Sequence, residues 1–261
     1  MLRFGAVTVQ HRRDVRHDTK LEPGDLVTIS GGRRASDAAV GMHGLRIVHL
    51  DGSVVIVDKP AGLLSMGSER EKERTAHRIL NQYLKAQTKS QVQQAFIVHR
   101  LDRETSGLML FARSERIQDA LQRNWKLVTK KYLAVVEGTP SSAAGTLRDR
   151  LIEDKSLRVR RVEQGGELAI THYRVVGERG KRSVLELTLE TGRKNQIRVQ
   201  LAALGHPIVG DRKYGAKDDH ARRLLLHSWE LSFRHPVSGA LMKFVSPPPT
   251  QMAVRLEGLA T

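Results

Sequence analysis

The stretch best equipped for chemistry is residues 99–113, HRLDRETSGLMLFAR. It sets one carboxylate, Asp102, between Arg100 and Arg103, then passes through Thr105-Ser106-Gly107 into an apolar run with the length of a buried strand. A carboxylate on a loop anchored in that way can serve as a nucleophile, accept a proton or stabilise positive charge. It can equally form a surface ion pair or cap a turn, and an exposed pair is worth only about 0–1 kcal/mol. Cysteine is absent, which excludes thiolate nucleophiles, disulfides and cysteine-ligated zinc. His99, His206, His227 and His235 show neither paired helical spacing nor a His-Glu-x-x-His string, so no metal site is predicted. A structural His99 that orients the Asp102 loop is the simpler reading. Gly31-Gly32 and Gly165-Gly166 lack the following lysine-serine and the strand-to-helix setting of a phosphate-cradling loop. The expected chemistry therefore needs neither a metal nor an organic cofactor.

The elements that must position Asp102 are mostly strands. Ala95 to Val98 and Leu108 to Ala112 read as buried strands joined by HRLDRETSG. Ile47, Val48 and Leu50, then Asp51-Gly52, then Val54 to Val57 read as two short strands around a favoured hairpin dipeptide. Tyr132 to Val136, Ala169 to Val176 and Val184 to Glu190 add three more; in the last, Leu185, Leu187 and Leu189 alternate with Glu186, Thr188 and Glu190, predicting one dry and one wet face. Thr75 is placed to cap a helix that carries Ile79, Leu80, Tyr83 and Leu84 on one face. A second helix after Ser114 would bury Ile117, Ala120, Leu121 and Trp125, and a third would bury Ile197, Leu201 and Leu204 before a cap at Gly205. Strands outnumber helices and come in consecutive runs. This predicts an α+β fold: a largely antiparallel mixed sheet with flanking helices. Residues 1–30 hold short alternating segments around a Glu22-Pro23-Gly24-Asp25 turn, and residues 31–44 read as a linker. The expected organisation is a short β-rich appendage and linker over residues 1–40, then a main domain over 41–261.

Lysine and arginine total 44 against 28 acidic residues, a formal charge of +16 with a pI near 10.5. Such an excess is the footprint of a protein that meets phosphates. No run of 18 apolar residues and no broadly amphipathic basic helix is present, so membrane association is not expected. The opening MLRFGAVTVQHRRD lacks the apolar stretch and cleavage site of a secretory signal, which predicts a cytoplasmic protein.

Residues 99–113 resemble the signature of the RluA family of pseudouridine synthases: HRLD, two further residues, TSG and an apolar run. Other stretches resemble the same family in the same order. They are Val57-Asp58-Lys59-Pro60-Ala61-Gly62-Leu63, Lys131 to Gly138, TGRKNQIRVQLAALGHPIVGD from Thr191 to Asp211, and Leu226-His227 with His235-Pro236. Many members carry histidine where this chain has Asn195 and again where it has Gln200. The N-terminal stretch resembles the second half of a small RNA-binding module of a ribosomal small-subunit protein, without that module's helical first half.

The resemblance implies isomerisation of uridine to pseudouridine within RNA, ribosomal RNA more than transfer RNA, by a monomeric enzyme. It assigns Asp102 the role of catalytic carboxylate and Tyr132 that of the tyrosine packed against a flipped uracil. Flipping costs a few kcal/mol, and an aromatic platform returns about 1–3 kcal/mol per stacked base. Arg198 matches the family's partner to the acid. Arg100, Arg103 and Arg193 are expected on the substrate side, Arg193 to contact phosphate or to brace its loop. The competing reading is a noncatalytic RNA-binding protein. A metal-assisted nuclease would need a cluster of acidic ligands that the sequence does not offer.

Overall fold

Among the described residues, alternating and wholly apolar runs assemble into one twelve-stranded sheet with three helices against it. The structure is a computed structural model that describes residues 7–9, 27–29, 39–40, 43–69, 71–87, 94–217 and 221–252. β1 (Val7–Val9) and β2 (Val27–Ile29) pair with each other antiparallel, apart from the main sheet. The predicted turn at Glu22-Pro23-Gly24-Asp25 lies outside the described residues, as does most of the predicted linker. The end of that linker differs from expectation. Ala39–Val40 forms a strand, β3, against β4 (Leu45–Leu50), and the chain reverses through His43 and Gly44, both at positive φ. Two residues are too few to show a period in the sequence.

The predicted hairpin joins β4 to β5 (Val54–Lys59), with the Asp51 carboxylate accepting the N–H groups of Ser53 and Val54 at 2.7 and 2.8 Å. β6 (Phe96–Ile97) is a two-residue, half-buried strand rather than the longer buried one expected, because it meets only the end of β7 (Ser106–Ala112) at Phe111 and Ala112. β7 is buried throughout: Met109 and Phe111 enter the main core, while Leu108, Leu110 and Ala112 face a second cluster with Val54, Ile56 and Phe233. β8 (Thr129–Glu137), β9 (Ala144–Glu153), β10 (Val159–Val162), β11 (Glu167–Arg179), β12 (Arg182–Leu189), β13 (Leu226–Arg234) and β14 (Leu241–Val245) complete the sheet. Its main path runs β10-β9-β11-β12-β8-β13-β7-β5-β4-β3. The pairing is antiparallel except that β7 runs parallel to β13, at Ser106 against His227 and Gly107 against Ser228. β9 and β10 escape sequence prediction, since their arginines leave no apolar alternation.

α1 (Ala76–Ala86) starts at Thr75, whose hydroxyl accepts the Arg78 N–H at 3.1 Å. α2 (Glu115–Arg123) is capped by Ser114 but buries only Leu121; Ile117, Ala120 and Trp125 are half-covered because the helix lies at the rim of the second cluster. α3 (Gln196–Ala203) ends with Gly205 at φ +91°, donating to Ala202, and His206 donating to Leu201, the paired bonds of a left-handed cap. That turn carries Leu204 outward, exposed rather than buried as predicted. The first six residues of α3 are all buried, polar ones included, so this helix presents chemistry to the interior and not an apolar stripe. No helix among the described residues is long and apolar enough to cross a membrane.

Candidate active site

Asp102 sits on the loop between β6 and β7, and that loop is held at several points. His99 Nε2 accepts the Leu110 N–H at 3.0 Å, which requires a neutral ring at that nitrogen. Burial of the imidazole pushes its pKa down to about 3, with the nearby Lys130 adding to the effect. The Ser65 hydroxyl donates to the Leu101 carbonyl at 2.6 Å and accepts the Leu101 N–H at 3.0 Å. The Thr105 N–H closes the turn on the Asp102 carbonyl at 3.1 Å. Behind it, buried Lys59 donates to the carbonyls of Pro60, Leu63 and Arg103, tying the Lys59-Pro60-Ala61-Gly62 turn to the Asp102 loop. Burial lowers the Lys59 pKa to about 7 against the opposing pull of Glu104 and Asp102.

The glycine of TSG has a steric reason. Gly107 lies at φ +111°, and a Cβ there would come within 2.1 Å of the Ser228 carbonyl oxygen. Only glycine lets β7 and β13 approach in parallel beside the loop. The neighbouring polar groups form a relay. Arg223 Nη2 donates to Ser106 Oγ at 2.8 Å, which meets His227 Nδ1 at 2.9 Å, and His227 Nε2 reaches the Ser246 carbonyl at 3.2 Å. A carbonyl only accepts, so Nε2 carries the proton of the neutral ring and Ser106 donates to Nδ1.

Arg198, on the first turn of α3, places Nη1 3.8 Å from Asp102 Oδ2. Its shorter bonds go to Asp211, from Nε to Oδ2 at 2.7 Å and from Nη2 to Oδ1 at 2.8 Å, and Nη1 also donates to Asn195 Oδ1 at 3.2 Å. The Tyr214 ring lies against the guanidinium, with its hydroxyl accepting from Asn195 Nδ2 at 3.0 Å. Burial would lower the Arg198 pKa, but Asp211 outweighs it and the net direction is up. Burial raises the pKa of Asp102, opposed first by Arg198, then by Arg100 and Lys59. Tyr132, in β8, is buried with its hydroxyl bonded to Ser228; burial pushes its pKa up to about 12, so it stays a neutral phenol.

Asp102, Tyr132, Arg198, Arg100 and Arg193 line one open cavity, whose apolar walls include Ile197 and Leu226. Arg100 stands exposed at its rim. Arg193 donates to the Leu168 carbonyl at 3.2 Å and pairs with Glu167 at 2.7 Å, the geometry of a loop brace. Arg103 is the predicted residue left out. Its Nε donates to the Gly62 carbonyl at 3.0 Å, and the side chain lines a separate recess beside Pro60 and Arg74. Sequence reading missed Asp211, Asn195 and Lys59 as working parts. A lone carboxylate closing the apolar GHPIVGD was the available signal for Asp211. Gln200 belongs to the core, bonded to Thr171, Asp149 and the Ala169 carbonyl. Among the described residues no group of three or more histidine or acidic side chains is placed to hold a metal ion. The cavity thus offers a largely buried carboxylate, a guanidinium fixed from behind, and a phenol on a partly apolar wall.

Residues 53–203 match the family model described as RNA pseudouridylate synthase. An uncharacterized RNA pseudouridine synthase of Bacillus subtilis is 32% identical over 253 residues, covering 94% of this chain and 82% of that protein. The ribosomal large subunit pseudouridine synthase D of Nitrosomonas europaea is 35% identical over 255 residues, covering 92% and 73%. The solved structure of human RNA pseudouridylate synthase domain containing 4 superposes with a TM-score of 0.67 at 24% identity, over 79% of this chain and 89% of that one, a likeness of fold.

Proposed function

The chain belongs to the RNA pseudouridine synthase family and isomerises uridine in RNA, and from that premise we propose that Asp102 is the carboxylate that carries the reaction. In the isomerisation the bond between ribose C1′ and uracil N1 breaks, the base turns, and a bond from C1′ to C5 forms. The C5 proton leaves and N1 takes one up, so the reaction needs no oxidant and no group donor. The observation that carries the assignment is the meeting of the Asp102 carboxylate, Arg198 at 3.8 Å and the Tyr132 phenol in one cavity. A carboxylate there can form a covalent adduct that divides one difficult step into two. Arg198 keeps it ionised against the burial that raises its pKa. Tyr132 supplies the surface against which a flipped uracil packs, offsetting part of the cost of leaving the RNA stack.

The HRLD and TSG stretches favour the RluA branch of the family, and the similarity to a synthase named for the large ribosomal subunit favours ribosomal RNA over transfer RNA as the substrate. We assign residues 1–40 to a segment resembling an RNA-binding module and its linker, and residues 41–261 to the catalytic domain. The test is release of tritium from uracil C5 in total cellular RNA under single turnover, with RNA binding measured in parallel. The wild-type chain is expected to release tritium. Asp102→Asn should release none while binding RNA as well as before, since it removes one negative charge from a chain of +16. Undiminished release by a folded Asp102→Asn protein removes Asp102 from the mechanism, and binding without release by the wild type favours the noncatalytic reading.

A further inference from the structure

A second recess opens beside the cavity at Asp102. It shares the walls formed by Arg100, Tyr132, Leu189 and Gly192 and continues to Trp125 and Lys130. Lys130 and Tyr132 are alternate residues of β8 and so point to the same face of the sheet. Lys130 is only 6% exposed, yet it has no carboxylate partner among the described residues. Its ammonium donates to the Trp125 carbonyl at 3.3 Å and lies 5.4 Å from the indole centroid. The adjacent Lys131 contrasts with it, meeting both Glu186 and Glu230 at 3.7 Å. A cation withdrawn from water without a counter-ion, on the wall of an open recess, is a site that an anionic group completes. Trp125 is half-buried and held by its stack on His99 at 4.6 Å, and its indole N–H has no hydrogen-bond partner among the described residues.

We infer that this recess takes the nucleotide adjoining the target uridine in the RNA strand, with Lys130 and Arg100 at its phosphate and the Trp125 indole against its base. The inference rests on the reading of the Asp102 cavity as the uridine site, and the common wall of Arg100 and Tyr132 is what makes the two sites neighbours along one strand. It adds a readout of sequence or backbone next to the reacting base, at residues outside the chemistry.

The chain has two tryptophans, so Trp229→Phe leaves Trp125 as the sole indole reporter. The change is mild, because the buried Trp229 N–H has no partner to lose. In that background, a single-stranded RNA of about nine nucleotides with one central uridine is titrated, following Trp125 emission and, with a dye-labelled copy, anisotropy. Both signals should saturate together. Lys130→Met, and Lys130→Gln as a polar counterpart, should weaken binding about fivefold and reduce the slope of log affinity against log salt by about 0.7, the share of one phosphate on a single strand. Lys126→Met removes an exposed charge outside the recess and should change affinity less than about twofold. RNA binding that leaves Trp125 emission unchanged, or a Lys130→Met protein indistinguishable from Lys126→Met, overturns the proposal. Absence of any anisotropy change also overturns it, and tritium release from total RNA then decides separately whether the uridine isomerase reading of Asp102 stands.

Discussion

Arg198 directs its two shortest hydrogen bonds, at 2.7 and 2.8 Å, to the fully buried carboxylate of Asp211, and stands 3.8 Å from Asp102. The guanidinium is therefore oriented from behind, by a residue that never faces the cavity, while one edge remains for the acid that does. A bidentate pair fixes the plane of the group as well as its position. Asp102 keeps a carboxylate that is balanced but not tied.

Removing Asp211 should accordingly act in two ways. Asp211→Asn leaves Arg198 buried without its main counter-charge and is expected to lower unfolding stability by about 3–5 kcal/mol, measured in urea. It should also slow single turnover, because Arg198 is then free to swing onto Asp102. The double variant Arg198→Met with Asp211→Asn should be less destabilised than the sum of the single changes, the signature of direct coupling. Full additivity would deny the pair any joint role.

The pH profile is expected to report Arg198 directly. On the proposed role of Asp102 its reactive form is the carboxylate; burial raises the pKa of that group, and Arg198 is the largest opposing influence. Loss of that cation raises the pKa further. The rate of Arg198→Met should thus begin its rise at higher pH than the wild type, with the deficit greatest in acid and shrinking as pH increases. RNA affinity should change little. Uniformly weaker binding with an unchanged single-turnover rate would place Arg198 on a phosphate instead.

Gly107 offers a test of the strand approach beside the loop. Gly107→Ala would push a methyl group to within 2.1 Å of the Ser228 carbonyl, so β7 and β13 must separate. Gly180, at φ +60°, has open space around a Cβ, and Gly180→Ala pays only the left-handed backbone cost of about 1–2 kcal/mol. Thermal unfolding should show a clearly larger loss for Gly107→Ala. Equal losses would mean that β7 and β13 shift apart freely.

His99 should make stability acid-sensitive. Its folded pKa, near 3, lies below the unfolded value of 6.5, so the unfolded chain binds the proton first. The His99 contribution is complete above pH 6.5 and declines as pH falls from there toward about 3. Urea midpoints measured across that window should fall more steeply for the wild type than for His99→Gln, whose amide oxygen can still accept the Leu110 N–H without titrating. Parallel curves would show that His99 is free to charge in the folded state.

What the sequence determined by itself is local. The hydroxyl caps at Thr75 and Ser114, the Gly205 cap, the hairpin at Asp51 and the strand at Leu108–Ala112 all depend on neighbours within a few positions, and all occur where the residue pattern puts them. The loop carrying Asp102 was legible for the same reason. Its association with Tyr132 and Arg198 came from resemblance, since no spacing rule links residues so far apart. Tertiary structure alone decided the rest. Asp211 became the chief partner of Arg198, Lys59 became a buried tie under the Asp102 loop, and Arg103 left the cavity to brace Gly62. Ser106 met His227 across 121 residues because the sheet order places β7 beside β13. The arginine-rich β9 and β10 found their strand conformation by pairing at the sheet edge. Periods and caps are properties of adjacent backbone, whereas these pairings follow from how the sheet closes, and an arginine or aspartate reads the same in sequence whether the fold turns it to water, to a backbone carbonyl or to a buried counter-charge.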